Sequence, residues 1–341
     1  MVGACGSVPA LRSSLMVAEP LRRVGLIGLG RMGLPICARL VEHGFDVVCT
    51  DVDRGRRELG TRTGATAVGD TEGVAADVDV VVTILPGPDE VTAGAEALTA
   101  AMTSGAVWLD LSTASPAAAR ATAAAAQRHG VAAVDAPLGG SPPAAAEGRL
   151  LSFAGAHIEH LDRVRPVLEV VADRIVHVGP PGSGYAVKLL ANTLWFGQAV
   201  ATAEALTIAT RAGLDAELVA AALRQSAASS RFLTDDAPAL LDGDDMPWFA
   251  LARCAEQLRS LSAFADELAV PADLLDAVRG VHAAALAHYG DVDGELLGAR
   301  FVAERGGVSF GRAARGAISF DDDARGAATD DEPLPRSATR N

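Results

Sequence analysis

The sequence predicts an α/β protein in which a doubly wound sheet domain is followed by an all-α domain. Three observations predict it. Short β-rich runs alternate with helix-length segments from Val24 to Val178, the pattern of a parallel sheet with helices on both faces. A glycine-rich turn, Gly28-Leu29-Gly30-Arg31-Met32-Gly33, joins the first such run to the first helix pattern. After Gly179-Pro180-Pro181-Gly182 no convincing strand pattern appears again, and Gly and Pro cluster where the composition switches.

The elements follow in order. Val24–Gly28 reads as a strand, with a helix from about Arg31 to His43, and Asp46–Thr50 as a second strand. Further strands are expected at Asp79–Leu85, Ala106–Leu111 and Val131–Val134, with helices at Asp89–Met102 and Pro116–His129 between them. Leu150–Ala154 and Arg174–Val178 flank a helix pattern at Ile158–Val171. Beyond the boundary near Pro181, helix patterns run through Tyr185–Ala212, Ala216–Gln225, Phe249–Leu268 and Ala272–His288. The expected division is a disordered extension at 1–20, a sheet domain at 21–181, a helical domain at 182–304 and a disordered tail at 305–341, rich in Gly, Arg, Ala and Asp.

Composition narrows the function classes. The chain has 341 residues, half of them hydrophobic, enough to bury a large core. Its net charge of −14 disfavours nucleic-acid and anionic-membrane partners. Four cysteines, Cys5, Cys37, Cys49 and Cys254, form no C-x-x-C pair and read as reduced, mostly buried thiols. Residues 1–20 contain no signal-peptide core, so a cytoplasmic location is expected. The apolar helix at Tyr185–Ala203 carries Lys188, Asn192 and Gln198, which suits a buried core helix rather than a membrane span. No metal site is expected; His157 and His160 lack further ligands around them.

The motif at Gly28–Gly33 is weak alone and strong in context. It follows an apolar strand and opens a helix. There the glycines permit a tight turn, close backbone approach to a pyrophosphate and close helix–strand packing, in a Rossmann-type dinucleotide site. The helix N-terminus supplies free N–H groups for the anion. Asp51 stands at the end of the second strand, where an acid bonds the ribose hydroxyls and repels a 2′-phosphate. This favours NAD. NADP is the alternative, because Arg54, Arg56 and Arg57 follow closely. The plainer reading of Asp51 is a helix cap or turn residue.

Basic residues are 28 arginines and a single lysine, Lys188. Lysine gives up its proton when its pKa is lowered, and arginine does not. Lys188 sits among Val187, Leu189 and Leu190, and Asn192 lies one helical turn on. Burial there would prepare it for proton transfer near neutral pH. The alternative is a lysine that snorkels to solvent near the helix start.

The chain resembles the β-hydroxyacid dehydrogenases, the 3-hydroxyisobutyrate dehydrogenase group, from about Val24 to Glu304. Four blocks carry the resemblance in order. They are Gly28–Gly33; Ile84-Leu85-Pro86; Asp110-Leu111-Ser112-Thr113 with Pro116, then Asp135-Ala136-Pro137-Leu138-Gly139-Gly140 and Gly148; and Gly182-Ser183-Gly184-x-x-x-Lys188-x-x-x-Asn192 with Glu204 and Gly213-Leu214-Asp215. The resemblance implies oxidation of a small 3-hydroxy acid to its semialdehyde, or the reverse, with NAD or NADP. It implies a homodimer or homotetramer. Lys188 would exchange the hydroxyl proton and Asn192 would hold substrate and lysine. Leu85, Pro86 and Thr113 would contact the cofactor, beside Gly28, Leu29, Gly30, Arg31, Met32, Gly33 and Asp51. Ser112 and the backbone N–H groups of Gly139, Gly140 and Ser141 would face the substrate, the latter as an anion nest for its carboxylate.

Two departures stand out. The family often has Ser-Gly-Gly where this chain has Gly139-Gly140-Ser141. Its Lys-Asp-Leu block aligns with Glu256-Gln257-Leu258, which removes a second lysine and places a glutamate that would disfavour a nearby phosphate. Competing readings are an imine or other-substrate reductase of the same superfamily, in which the lysine is typically replaced, and a catalytically silent nucleotide-binding protein. The acid itself is left open among 3-hydroxyisobutyrate, glycerate, 3-hydroxypropionate and 4-hydroxybutyrate.

Overall fold

A computed structural model describes residues 21–311; the extension expected at 1–20 and most of the expected tail lie outside them. Nine strands form one sheet in the order β3-β2-β1-β4-β5-β6-β8-β7, with β9 paired to β8. The parallel body is β1 (Arg23–Ile27), β2 (Asp46–Thr50), β3 (Thr66–Ala67), β4 (Val80–Thr83), β5 (Val107–Asp110) and β6 (Ala132–Asp135). Every residue of β4 and β5 is buried, as expected of parallel strands covered on both faces. Successive side chains alternate between two cores. Val80, Val82, Val107 and Leu109 join the core under α1 (Gly33–Glu42) and α8 (Ile158–Val171), while Val81 and Trp108 join the one under α5 (Ala95–Ala101) and α6 (Pro116–Arg128).

The structure departs from the sequence reading in places. The segment at 150–154 is a strand, β8 (Leu150–Gly155), but it runs antiparallel to β6 and to the short β7 (Leu138–Gly139). The helix expected at 89–102 is two, α4 (Pro88–Ala93) and α5, parted at Gly94. The ordered chain passes the boundary expected at 305. α14 (Leu297–Arg305) is followed by buried Val308, and Phe310 packs against the helical core.

The chain reverses direction across the sheet between β1 and β4, which opens a crevice at the carboxyl ends of those strands. After β9 (Ala172–Gly179) comes α9 (Ser183–Arg211), against which α10 (Ala216–Arg224), α12 (Leu251–Glu267), α13 (Asp273–Tyr289) and α14 pack. A π-helical turn, Phe232–Asp236, leads into α11 (Ala237–Asp242).

The start of α9 is fastened to the sheet. Its N-cap, Gly182 at φ +94°, offers no side chain to the orphan N–H groups. The Asp135 carboxylate supplies the acceptors from the end of β6: Gly182 N–H donates to Oδ1 at 2.6 Å and Tyr185 N–H to Oδ2 at 3.0 Å. A Cβ on Gly184 would lie 2.4 Å from the Phe153 carbonyl oxygen and 2.5 Å from that of Asp135, so only glycine lets the helix reach this depth. Gly184→Ala is therefore expected to cost about 1–3 kcal/mol by overpacking. Gly280→Ala, exposed within α13 with nothing within 4 Å, should gain about 0.5–1 kcal/mol. Urea unfolding of both variants reads the contrast.

Candidate active site

The glycine-rich turn lies at the crevice. Gly28, at φ +100°, passes so near β4 that a Cβ would sit 2.2 Å from the Ile84 carbonyl oxygen. A Cβ on Gly33 would sit 1.9 Å from the Gly28 carbonyl oxygen. Gly30 differs: its nearest neighbour is the tip of Arg56 at 3.9 Å, leaving room above the backbone. Among the described residues, the N–H groups of Gly30, Arg31 and Met32 have no acceptor. Open space over unpaired amides at a helix start fits a pyrophosphate.

Asp51 is buried at the rim, and its carboxylate first serves the loop. Oδ2 accepts from Leu29 N–H at 2.7 Å and Oδ1 from Asp53 N–H at 2.9 Å. The neighbouring arginines are engaged: Arg54 with Glu58 at 3.1 Å, Arg57 with the Asp51 carbonyl at 2.5 Å, and Arg56 at 3.8 Å from Asp51 Oδ2. The Arg31 guanidinium leaves the loop altogether. It bonds the Pro247 carbonyl at 2.9 Å and Asp293 at 2.5 Å, so only its backbone remains at the expected cofactor position.

Beyond β4 and β5, Leu85 is partly buried and Pro86 exposed. Ser112 does not face a substrate, contrary to expectation. It is 3% exposed, its hydroxyl accepts from Leu85 N–H at 2.8 Å and donates to Asp110 Oδ1 at 2.5 Å, and so it is spent on holding the turn. The same carboxylate receives Thr83 Oγ1 at 2.9 Å and the Tyr185 hydroxyl. Burial pushes the Asp110 carboxyl above its usual range. Thr113 is partly accessible, and its hydroxyl has no partner among the described residues. The Gly140 and Ser141 N–H groups are likewise unpaired, while Gly139 is drawn into β7; the anion nest rests on 140 and 141.

Lys188 lies one turn past Tyr185 on α9 and is densely surrounded by protein. Desolvation lowers its pKa to about 8, opposed by the charge of Glu295. The Asn192 amide donates to Gln257 Oε1 at 2.5 Å, so its partner is Gln257 rather than the lysine. Glu256 is held by Arg253 at 2.7 Å, which also reaches Glu90 on α4 at 3.2 Å. The glutamate at 256 is thus neutralised rather than aimed at a phosphate. Sequence reasoning missed Glu295, which stands in a loop with no motif around it, and gave Gln257 no role. Among the described residues no group of three or more metal-ligating side chains occurs, and no helix is long and apolar enough to cross a membrane. Cys37, Cys49 and Cys254 are buried and free.

Residues 23–179 match the NAD-binding domain model of 6-phosphogluconate dehydrogenase, and residues 182–297 that of NADP-dependent 3-hydroxyisobutyrate dehydrogenase. The chain is 32% identical to an NAD-dependent L-serine dehydrogenase of Pseudomonas aeruginosa, over 60% of this chain and 70% of that one. It is 30% identical to human mitochondrial 3-hydroxyisobutyrate dehydrogenase, over 70% of this chain and 72% of the relative. A solved structure of Mycobacterium tuberculosis 3-hydroxyisobutyrate dehydrogenase with L-serine superposes with a TM-score of 0.77 at 27% identity, covering 84% of this chain and 99% of that one. An imine reductase of Streptomyces aurantiacus, at 21% identity and a TM-score of 0.57, covering 81% of this chain and 98% of that one, adds the fold only.

 With both halves matched and these relatives covered over two thirds or more of their length, the chain belongs to the β-hydroxyacid dehydrogenase family.

Proposed function

We propose that the protein is an NAD(P)-dependent dehydrogenase that interconverts a small 3-hydroxy acid and its semialdehyde, with Lys188 as general base and acid. The observation that carries this reading is a lysine whose pKa burial lowers to about 8, on a helix whose start is fastened to the end of β6 in the sheet that bears the dinucleotide-binding turn. NAD(P), when bound, accepts the hydride or returns it. The unpaired amides at 30–32 hold the pyrophosphate, and Leu85, Pro86 and Thr113 pack beside the cofactor. The unpaired N–H groups of Gly140 and Ser141 take the substrate carboxylate. Neutral Lys188 then removes the hydroxyl proton at Nζ, and its ammonium gives that proton back in reduction. Asn192, fixed by Gln257, lines the site one turn on from the lysine.

NAD is the preferred cofactor in this reading, because Asp51 would repel a 2′-phosphate and Arg54 and Arg57 are already engaged. A homodimer or homotetramer is supported by the exposed Ile208, Leu214 and Leu218 of the α9–α10 corner. The free, buried thiols suit a cytoplasmic protein.

The test is turnover of carboxylated semialdehydes and 3-hydroxy acids, followed by nicotinamide absorbance. Lys188→Ala should lower kcat by about 10²–10⁴ while cofactor still binds. Full activity in that variant sinks the mechanism, and cofactor binding without any turnover favours a silent binding protein. The pH dependence has a definite sign. Oxidation needs the neutral amine, so kcat/KM for the hydroxy acid rises through about pH 8 and levels off; reduction needs the ammonium and falls above it. Gly33→Ala, which drives a methyl into the Gly28 carbonyl, should weaken cofactor binding by about tenfold or more in a fluorescence titration, equivalent to about 1.4 kcal/mol.

A further inference from the structure

α9 carries more of the site than its lysine. At about 100° per residue, Lys188, Asn192 and Trp195 fall within about 60° of one another around the helix axis. All three are partly accessible. The residues that continue this face are sealed: Ala199 is 2% exposed and Leu206 0%, in one core with Leu296 and Ala299 at the start of α14. The accessible strip that begins at Lys188 therefore ends at Trp195, about 10 Å farther along the axis. Side chains on a helix lean toward its N-terminus, which directs the indole back toward Asn192 rather than away from it.

The indole is pinned. Its Nε1–H donates to Asp236 at 2.7 Å, and its ring meets Phe232 edge to face with 5.3 Å between centroids. Phe232 and Asp236 are the first and last residues of the π-helical turn, so one turn grips the indole twice. Such turns recur at functional sites. Phe196 meets the ring from α9 itself, also edge to face, at 5.5 Å. Trp195 packs against both large apolar cores of the helical domain. A ring held on these sides cannot swing aside for a bulky ligand. Its one polar atom is spent on Asp236, so the surface left to a ligand is carbon. The strip thus passes from an amine at 188 to an amide at 192, fixed by Gln257, and then to an apolar wall at 195.

In the dehydrogenase reading above, on which this inference rests, the substrate hydroxyl lies at Lys188 and its carboxylate at the Gly140 and Ser141 N–H groups. The substituent on the carbon between them, C2, is the part free to extend along α9. We propose that Trp195 is the stop for that substituent, a specificity-determining residue that accepts a short apolar group at C2 and excludes a longer one. Asp236 is a positioning residue that acts through the indole.

The test pair is 3-hydroxypropionate and 2-propyl-3-hydroxypropionate, which differ only at C2, assayed with NAD and NADP. In the wild-type enzyme kcat/KM for the propyl acid should lie below that for the parent by about tenfold or more. Trp195→Leu should raise the propyl-to-parent ratio by about tenfold or more, chiefly through the KM for the propyl acid. Asp236→Ala, which frees the indole, should raise the same ratio to a smaller extent, and Asp236→Asn, which keeps an acceptor oxygen, should hold it at the wild-type value. A thermal melt shows whether each variant folds. If Trp195→Leu does not, Trp195→Phe carries the test with the 2-ethyl acid, whose ratio to the parent should rise. A wild-type enzyme that takes the propyl acid as well as the parent, or a folded Trp195 variant with an unchanged ratio, overturns the stop while the dehydrogenase reading stands. An unchanged ratio in Asp236→Ala removes the positioning role. If no 3-hydroxy acid is turned over, the dehydrogenase reading fails, and calorimetric binding of the two acids to the cofactor-loaded protein decides the stop. Discrimination against the propyl acid that Trp195→Leu removes sustains it; equal binding, or none, overturns it.

Discussion

The site depends on one carboxylate, that of Asp135, closing the start of α9. Its two oxygens take N–H groups from Gly182 and Tyr185 and so tie a helix of 29 residues to the end of β6. Burial raises the pKa of this carboxyl to about 7, while those same N–H groups pull it down. Beside it, Asp110 receives the Tyr185 hydroxyl, and through Ser112 it also sets the turn at Leu85. Two acids from neighbouring strands therefore position the cofactor-side turn and the helix that bears Lys188. The charged groups of this layer serve geometry, and Lys188 inherits its place from them.

Much of this was legible in the sequence, for identifiable reasons. The strands β1, β4 and β5 are apolar runs of a length only a buried parallel strand requires, and the long apolar helix after Gly182 declares itself by continuity. The glycines at 28 and 33 follow from a turn with no room for a Cβ. Lys188 stood out because every other cation is arginine. What was not legible depends on distant pairing. Nothing local says that Ser112 turns inward to Asp110, that Arg31 abandons its own loop for Asp293, or that β8 reverses direction. Glu295 was hidden for the same reason. Its significance comes from a helix more than 100 residues earlier, and an acidic residue in a polar loop gives no signal of its own.

Departures from the family pattern also change meaning in three dimensions. Glu256 looks like the loss of a cation, yet Arg253, one turn back, supplies one and carries it across to Glu90. Gln257 looks like the loss of an acid, yet it fixes Asn192 through a neutral bond. A substitution read at one position is compensated, or given a new use, by a neighbour one helical turn away or on a facing segment.

The rooting of α9 has a mechanical consequence. Lys188 stands less than two turns from the point where the helix is clamped to the sheet, so it is registered to the strands that carry the cofactor turn. The loop before α14, bonded to the 245–250 segment, meets the sheet domain through a surface ion pair between Arg31 and Asp293. A change in the angle between the sheet and the helices packed on α9 is therefore borne at that exposed pair, while the first turn of α9 keeps its register to β6.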